Sequence, residues 1–133
     1  MTTKELAIII GGGDSYIRTR KNIVTGLAVK PEINPDAPDI ILVGKGPRMR
    51  ANAEKFLQQG QYVPVYMKQA KNAWSYVGEY KAVSYSREPE IIEKYGEVRR
   101  PGSVDGVLFC HQRMKKMGVI CFILVGWMWK RES

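Results

Sequence analysis

The sequence predicts an α+β domain, a small and mostly antiparallel β-sheet with two flanking helices. Two observations carry that reading. β-Branched and aromatic residues gather in short stretches at residues 16–29, 40–43, 61–68, 74–85 and 104–110, with Gly, Pro, Asn or polar connectors between them. Apolar residues recur at helical spacing over residues 48–59, and residues 88–95 form a short second helical segment.

Taken in order, residues 5–10 read as a short buried strand, an apolar run that stops at Gly11, Gly12, Gly13 and Asp14. Three glycines after a strand also invite a phosphate-cradle reading. Neither GxGxxG nor GxxxxGK[ST] follows, and what comes next is β-prone rather than helical, so a turn is expected. Residues 16–29 hold two β-prone stretches about Arg20, Lys21 and Asn22, which predicts a hairpin with a basic tip. Pro31, Pro35 and Pro38 exclude helix and central strand from residues 30–39 and leave an extended loop. An apolar strand resumes at residues 40–43.

Residues 48–59 carry Met49, Ala53, Phe56 and Leu57 on one face with Gly60 as the stop, an amphipathic helix of about three turns. Residues 61–68 and 74–85 are expected to pair as antiparallel neighbours, with Pro64 marking an edge or a bulge. Strand parity puts Trp74, Tyr76 and Tyr80 on one face and Glu79 on the other. A short helix over residues 88–95, a loop at residues 99–102 and a final strand over residues 104–110 complete the pattern. No internal repeat or low-complexity tract is present.

A chain of 133 residues is expected to fold as a single domain, residues 1–133, burying roughly two-thirds of its unfolded surface. With 44% hydrophobic and 26% charged residues, neither disorder nor a fibrous repeat is indicated. Twenty-one Lys and Arg against thirteen Asp and Glu give a net charge of +8, which favours polyanionic partners through counterion release. A basic surface kept for solubility is the plainer alternative. Cys110 and Cys121 with no recognisable signal peptide point to a reduced, cytoplasmic setting. His111 and two cysteines offer no familiar zinc spacing, and neither a metal nor a cofactor is expected.

Residues 117–129, from Met117 to Trp129, are almost unbroken apolar sequence between basic flanks. The run is shorter than the roughly 20 residues of a spanning helix. A buried closing strand, an interfacial anchor and a self-association surface remain open for it, so a homo-oligomer or protein partner is a competing expectation.

Two constellations bear on chemistry. Gly44, Lys45, Gly46, Pro47, Arg48, Met49, Arg50, Ala51 and Asn52 combine a glycine turn, three cations and an amide at a helix start, where outward N–H groups and the dipole favour an anion. A solvated basic helix start is the alternative. Tyr62, Tyr66, Trp74, Tyr76, Tyr80 and Tyr85 are interleaved with Lys68, Lys71 and Lys81, a composition shared by base-stacking platforms and by ordinary β-cores. Catalytic motifs are missing: no GxSxG or HExxH occurs, and Cys110 beside His111 does not make a nucleophile–base pair by adjacency.

The order of motifs between Asp39 and Tyr85 resembles the SRA-like and PUA-like modules associated with modification-dependent restriction. It runs from a strand ending Val43-Gly44-Lys45-Gly46, through Arg50 and Asn52 and the strand Val63-Pro64-Val65-Tyr66, to Trp74-Ser75-Tyr76-Val77-Gly78-Glu79-Tyr80. That resemblance implies a curved sheet or barrel that binds duplex DNA and accepts a flipped, modified base between aromatic rings. On matching positions it brings the turn Gly44 to Gly46 and residues 48–52, with Lys45, Arg48, Arg50 and Asn52, to the DNA backbone or the vacated base position, and makes Tyr66, Trp74 and Tyr76 pocket rings and Asp39 an acceptor for a base edge. The basic hairpin residues Arg18, Arg20 and Lys21 join the expected nucleic-acid surface. The expectation is therefore a non-enzymatic nucleic-acid-binding module, with DNA favoured. The alternatives are an assembly module using residues 117–129 and a small enzyme that clamps an anionic nucleotide-like ligand at residues 44–50.

Overall fold

The structure, a computed structural model, describes residues 1–13, 15–97, 99 and 102–114. The predicted strand at residues 5–10 is instead all but the first two residues of a helix, α1 (Thr3–Ile10). Thr2 and Glu5 form a capping box: Thr2 Oγ1 accepts the Glu5 N–H at 3.2 Å, and Glu5 Oε1 accepts the Thr2 N–H at 3.0 Å. Leu6 and Ile10, one helical turn apart, are fully buried, whereas Ile8 is 72% exposed. A short apolar run does not by itself distinguish a buried strand from a helix; packing of the i, i+4 pair Leu6 and Ile10 selects the helix.

The remaining elements follow the sequence reading closely. They are β1 (Ile17–Arg20), β2 (Ile23–Val29), β3 (Ile40–Gly44), α2 (Pro47–Gln59), β4 (Val63–Ala70), β5 (Ala73–Ser86), α3 (Pro89–Gly96) and β6 (Val104–Gln112). Three helices, not two, therefore flank the sheet among the described residues. The strand order is β1-β2-β4-β5-β6-β3, and only the β2–β4 pair is parallel. Residues 117–129, expected as a closing strand, an interfacial anchor or a self-association surface, lie outside the described residues. No helix among the described residues is long and apolar enough to cross a membrane.

The sheet curls into a half-barrel. Laid flat, six strands would hold their edges roughly 24 Å apart. Here Tyr16, which leads into edge strand β1, donates its hydroxyl proton to the Leu42 carbonyl of the opposite edge strand β3 at 3.1 Å and accepts the Gly44 N–H at 3.0 Å. Helix α2 fills the inside of the curl, where Ala53 and Phe56 pack against Leu27, Val29, Ile41, Val43, Val65, Tyr80 and Leu108. The alternating residues of the same strands face outwards. Ala28, Tyr66 and Trp74 pack under α1, and Leu42, Val104 and Val107 pack under α3, where Tyr95 meets Phe109 edge to face at 5.7 Å. Helix α1 lies so close to β2 that a Cβ on Gly26 would stand 2.4 Å from Ile10 Cγ2, leaving room for glycine alone.

Candidate nucleic-acid interface

Helix α2 starts where β3 ends in Gly44, and Gly46 turns the chain into Pro47 at the first helical position. Side chains at helical spacing on α2, Arg48, Asn52 and Lys55, then share one flank beside the buried Ala53 and Phe56. That flank forms one wall of a groove of about 920 Å³. The other wall is Gly12, Gly13 and the stretch from Ser15 through β1, with Asn22 at the hairpin tip and Ile33 from the proline-rich loop. No Asp or Glu lines the groove among the described residues. Asp14 falls outside them.

Arg18, Arg48 and Asn52 of the expected surface meet in this groove. Arg18 is only 5% exposed; its Nη1 donates to the Gly11 carbonyl at 2.8 Å and its Nε to the Ser15 carbonyl at 2.5 Å, so it braces the glycine loop from behind. Arg20 points elsewhere and donates to the Ala7 and Ile8 carbonyls, satisfying the C-terminal end of α1. Lys21 sits at the exposed hairpin tip, where it and Asn22 adopt left-handed φ values of 49° and 67°. Arg50 lies off the groove and pairs with Glu54 at 3.4 Å. Lys45 is exposed in the turn before α2 and lines a separate cavity under α3. Lys55 was missed in the sequence, although positions 48, 52 and 55 have the spacing of one helix flank. Its ammonium donates to Asn22 Oδ1 and so bridges the two walls.

Of the four base-pocket candidates, Tyr66, Trp74 and Tyr76 are neighbours, but only the Tyr76 ring is exposed, and Asp39 lies elsewhere. Trp74 is 6% exposed beneath α1, its indole N–H donating to Thr3 Oγ1 at 3.1 Å, and Tyr66 is 7% exposed in the same cluster. Tyr76 is 54% exposed, with its ring centroid 5.5 Å from that of Tyr66. Asp39 is exposed at the end of the proline-rich loop, apart from these rings; its charge reaches Tyr80 and Cys110, whose thiol burial pushes up to about 12. Parity also fails along β5. Tyr66 pairs with Tyr76 and Val65 with Gly78, so Val77 is an extra, bulged residue, and Tyr80 turns into the α2 core while Trp74 faces α1. Glu79, expected across the sheet from Tyr76, accepts the Tyr76 hydroxyl proton at 2.6 Å.

A curled six-stranded sheet with one helix inside and two outside is an SRA-like fold. Solved structures with this architecture include SUVH5 SRA domains. One, in complex with hemimethylated CG DNA, superposes with a TM-score of 0.56 at 19% identity, over 86% of this chain and 84% of that one. Two more, with methylated CHH DNA and with fully methylated CG DNA, each reach 0.54, at 15% and 16% identity and the same coverage. No family model and no curated protein matches the chain. The resemblance read between Asp39 and Tyr85 thus extends, as a likeness of fold, over most of the chain.

Proposed function

We propose that this chain is a non-catalytic module that seats duplex DNA on the groove between α2 and β1 and discriminates a modified base. The observation that carries the reading is the chemistry of the walls: Arg48 and Lys55 on one flank of α2, with no carboxylate among the described lining residues. Guanidinium and ammonium groups there neutralise backbone phosphates, and Asn22 and Asn52 supply amides for sugar or base edges. The net charge of +8 draws the polyanion in, while Lys45, Arg50, Arg20 and Lys21 extend the positive field without lining the groove. The SRA-like fold supports DNA as the partner, since the solved neighbours are complexes with methylated DNA. In this reading Tyr66 and Trp74 serve the core, Tyr76 keeps a ring available to a base, and Asp39 is a solvent-facing carboxylate.

The test is a fluorescence-anisotropy titration with matched single- and double-stranded DNA and RNA, with and without 5-methylcytosine, at two salt concentrations. Duplex DNA is expected to bind in a salt-dependent way, and more tightly when methylated. Arg48→Ala and Lys55→Ala should each weaken binding and lower the salt slope by about one. Unchanged affinity and slope in both variants would remove the groove from the interface. Equal affinity for methylated and unmethylated duplex would remove the modified-base reading.

A further inference from the structure

A cleft of about 620 Å³ lies between α3 and the start of β6, and it shares no lining residue with the α2 groove. Pro89, Ile92, Glu93, Gly96 and Glu97 recur at helical spacing and form its α3 side. Val104 comes from β6, and Lys45 and Arg99 enter from the loops that lead to α2 and to β6. Gly96 shapes the floor. A Cβ there would stand 3.4 Å from Val104 Cγ2 and 3.9 Å from Ile92 Cγ2, ordinary contact distances, so its absence leaves a hollow the size of a methyl group between two apolar side chains.

The charge around this hollow is unlike that of the rest of the chain. Residues 88–97 hold Glu88, Glu90, Glu93 and Glu97 against Lys94 alone, all exposed, in a chain whose net charge is +8. Such a pole repels a polyanion and attracts a cationic partner. Lys45 and Arg99 give the cleft a cationic part as well, and none of its four charged side chains forms an ion pair among the described residues. Arg99 donates its Nε to the Ile33 carbonyl at 2.8 Å, and its Nη2 is left buried without an acceptor among the described residues. A buried donor in that state is costly until an acceptor is supplied. The side chain as a whole is only partly buried, so the guanidinium can turn toward the cavity.

We propose that the α3 cleft docks a segment of another protein in which an apolar residue of about leucine size lies between an acidic and a basic neighbour. The apolar side chain fills the hollow over Ile92, Gly96 and Val104. A lysine or arginine faces Glu93 and Glu97, and the carboxylate meets Lys45 and Arg99. An apolar floor inside a charged rim is the anatomy of a protein-binding surface. The apolar contact supplies most of the affinity, while the exposed charges, each worth little alone, select the partner and its orientation. The four glutamates of residues 88–97 disfavour a nucleic acid as the occupant, and the inference does not depend on the α2 groove being the DNA site.

The experiment is a ¹⁵N-NMR titration of the full chain with short capped peptides built around a leucine. One has two glutamates on one side and two lysines on the other; the rest are its reversed sequence, the serine-for-leucine version of each, and a peptide with glutamates on both sides. At least one mixed-charge leucine peptide should shift the backbone amides of residues 92–97, 99 and 104, and the serine versions and the all-glutamate peptide should not. Gly96→Ala fills the hollow. It should weaken peptide binding about tenfold while the urea midpoint holds or rises, since alanine is the better helix former. Glu93→Lys together with Glu97→Lys should transfer the preference to the all-glutamate peptide, an outcome that a merely structural role would not produce. Silence of both mixed-charge leucine peptides at these amides, equal shifts with the serine versions, unaltered binding in Gly96→Ala, or displacement of the peptide by duplex DNA would overturn the inference. Arg48→Ala and Lys55→Ala should leave the peptide shifts unchanged, so failure here and failure of the DNA reading are read separately.

Discussion

Asp105 shows how single side chains are tuned here. Burial alone would raise its carboxyl, but hydrogen bonds from the Tyr85 hydroxyl at 2.6 Å and from Arg87 at 3.2 Å outweigh that and hold it below its ordinary value. A depressed folded-state value contributes stability that is present above the unfolded value of about 3.9 and lost as pH falls through the lower folded one. Asp105→Asn is therefore expected to cost about 1–3 kcal/mol at pH 7, and the difference from wild type should shrink as urea midpoints are taken to pH 3 and below. At this scale the sequence was informative where a side chain's role depends on its near neighbours. Arg48 and Asn52 lie a turn apart on one helix and do meet in the groove. Trp74 and Arg20 misled, because what occupies them is α1, a distant segment that covers the indole and offers its last carbonyls to the guanidinium.

Among the elements, the hairpin, the central strands, α2 and α3 were legible from periodicity and turn residues. Helix α1 was not, although Thr2 and Glu5 carry a visible capping box and Leu6 and Ile10 a helical spacing. A short apolar run closed by three glycines fits a buried strand equally well, and only the distant contacts of Leu6 and Ile10 decide between the two. Thr2→Ala should accordingly cost about 0.5–2 kcal/mol, read as a lower urea midpoint together with faster hydrogen exchange in residues 3–10. An unchanged midpoint would mean that the Leu6 and Ile10 contacts, not the cap, hold the helix. The bulge at Val77 lies opposite the Val65–Tyr66 step, next to Pro64, which the sequence marks as an edge or a bulge; its effect on the facing of β5 was hidden, since parity carries a face assignment along a strand only while the ladder stays regular.

Across the whole molecule, the curl brings together what the sequence keeps apart. Lys55 reaches Asn22, and Tyr16 reaches β3, because α2 lies inside a sheet whose edges approach each other. The motif order from Asp39 to Tyr85 pointed to the SRA-like fold, but the glycine loop and hairpin that complete the groove lie outside that span. Nothing local marks them as partners of α2. Tyr16→Phe keeps the ring and removes the bridge between β1 and β3, leaving the Gly44 N–H and the Leu42 carbonyl without it. The loss should be about 1–3 kcal/mol, and duplex affinity should fall by more than the unfolded fraction explains, since both groove walls hang from that bridge. Affinity that follows the folded fraction alone would show that the walls hold their spacing independently.

The strand order has a kinetic side as well. After β2 the chain crosses to the far edge to form β3, returns through α2, and only then supplies β4 to pair with β2, while Ile40 of β3 must await Phe109 of β6. Contacts this distant in sequence require long loops to close before any pairing energy is returned, which puts folding in the slow, millisecond-to-second regime of non-local sheets. A nascent chain that has emerged only as far as α2 lacks both strands that flank this crossover in the finished sheet. In the proposed reading, the groove is complete for DNA only once β6 has been made.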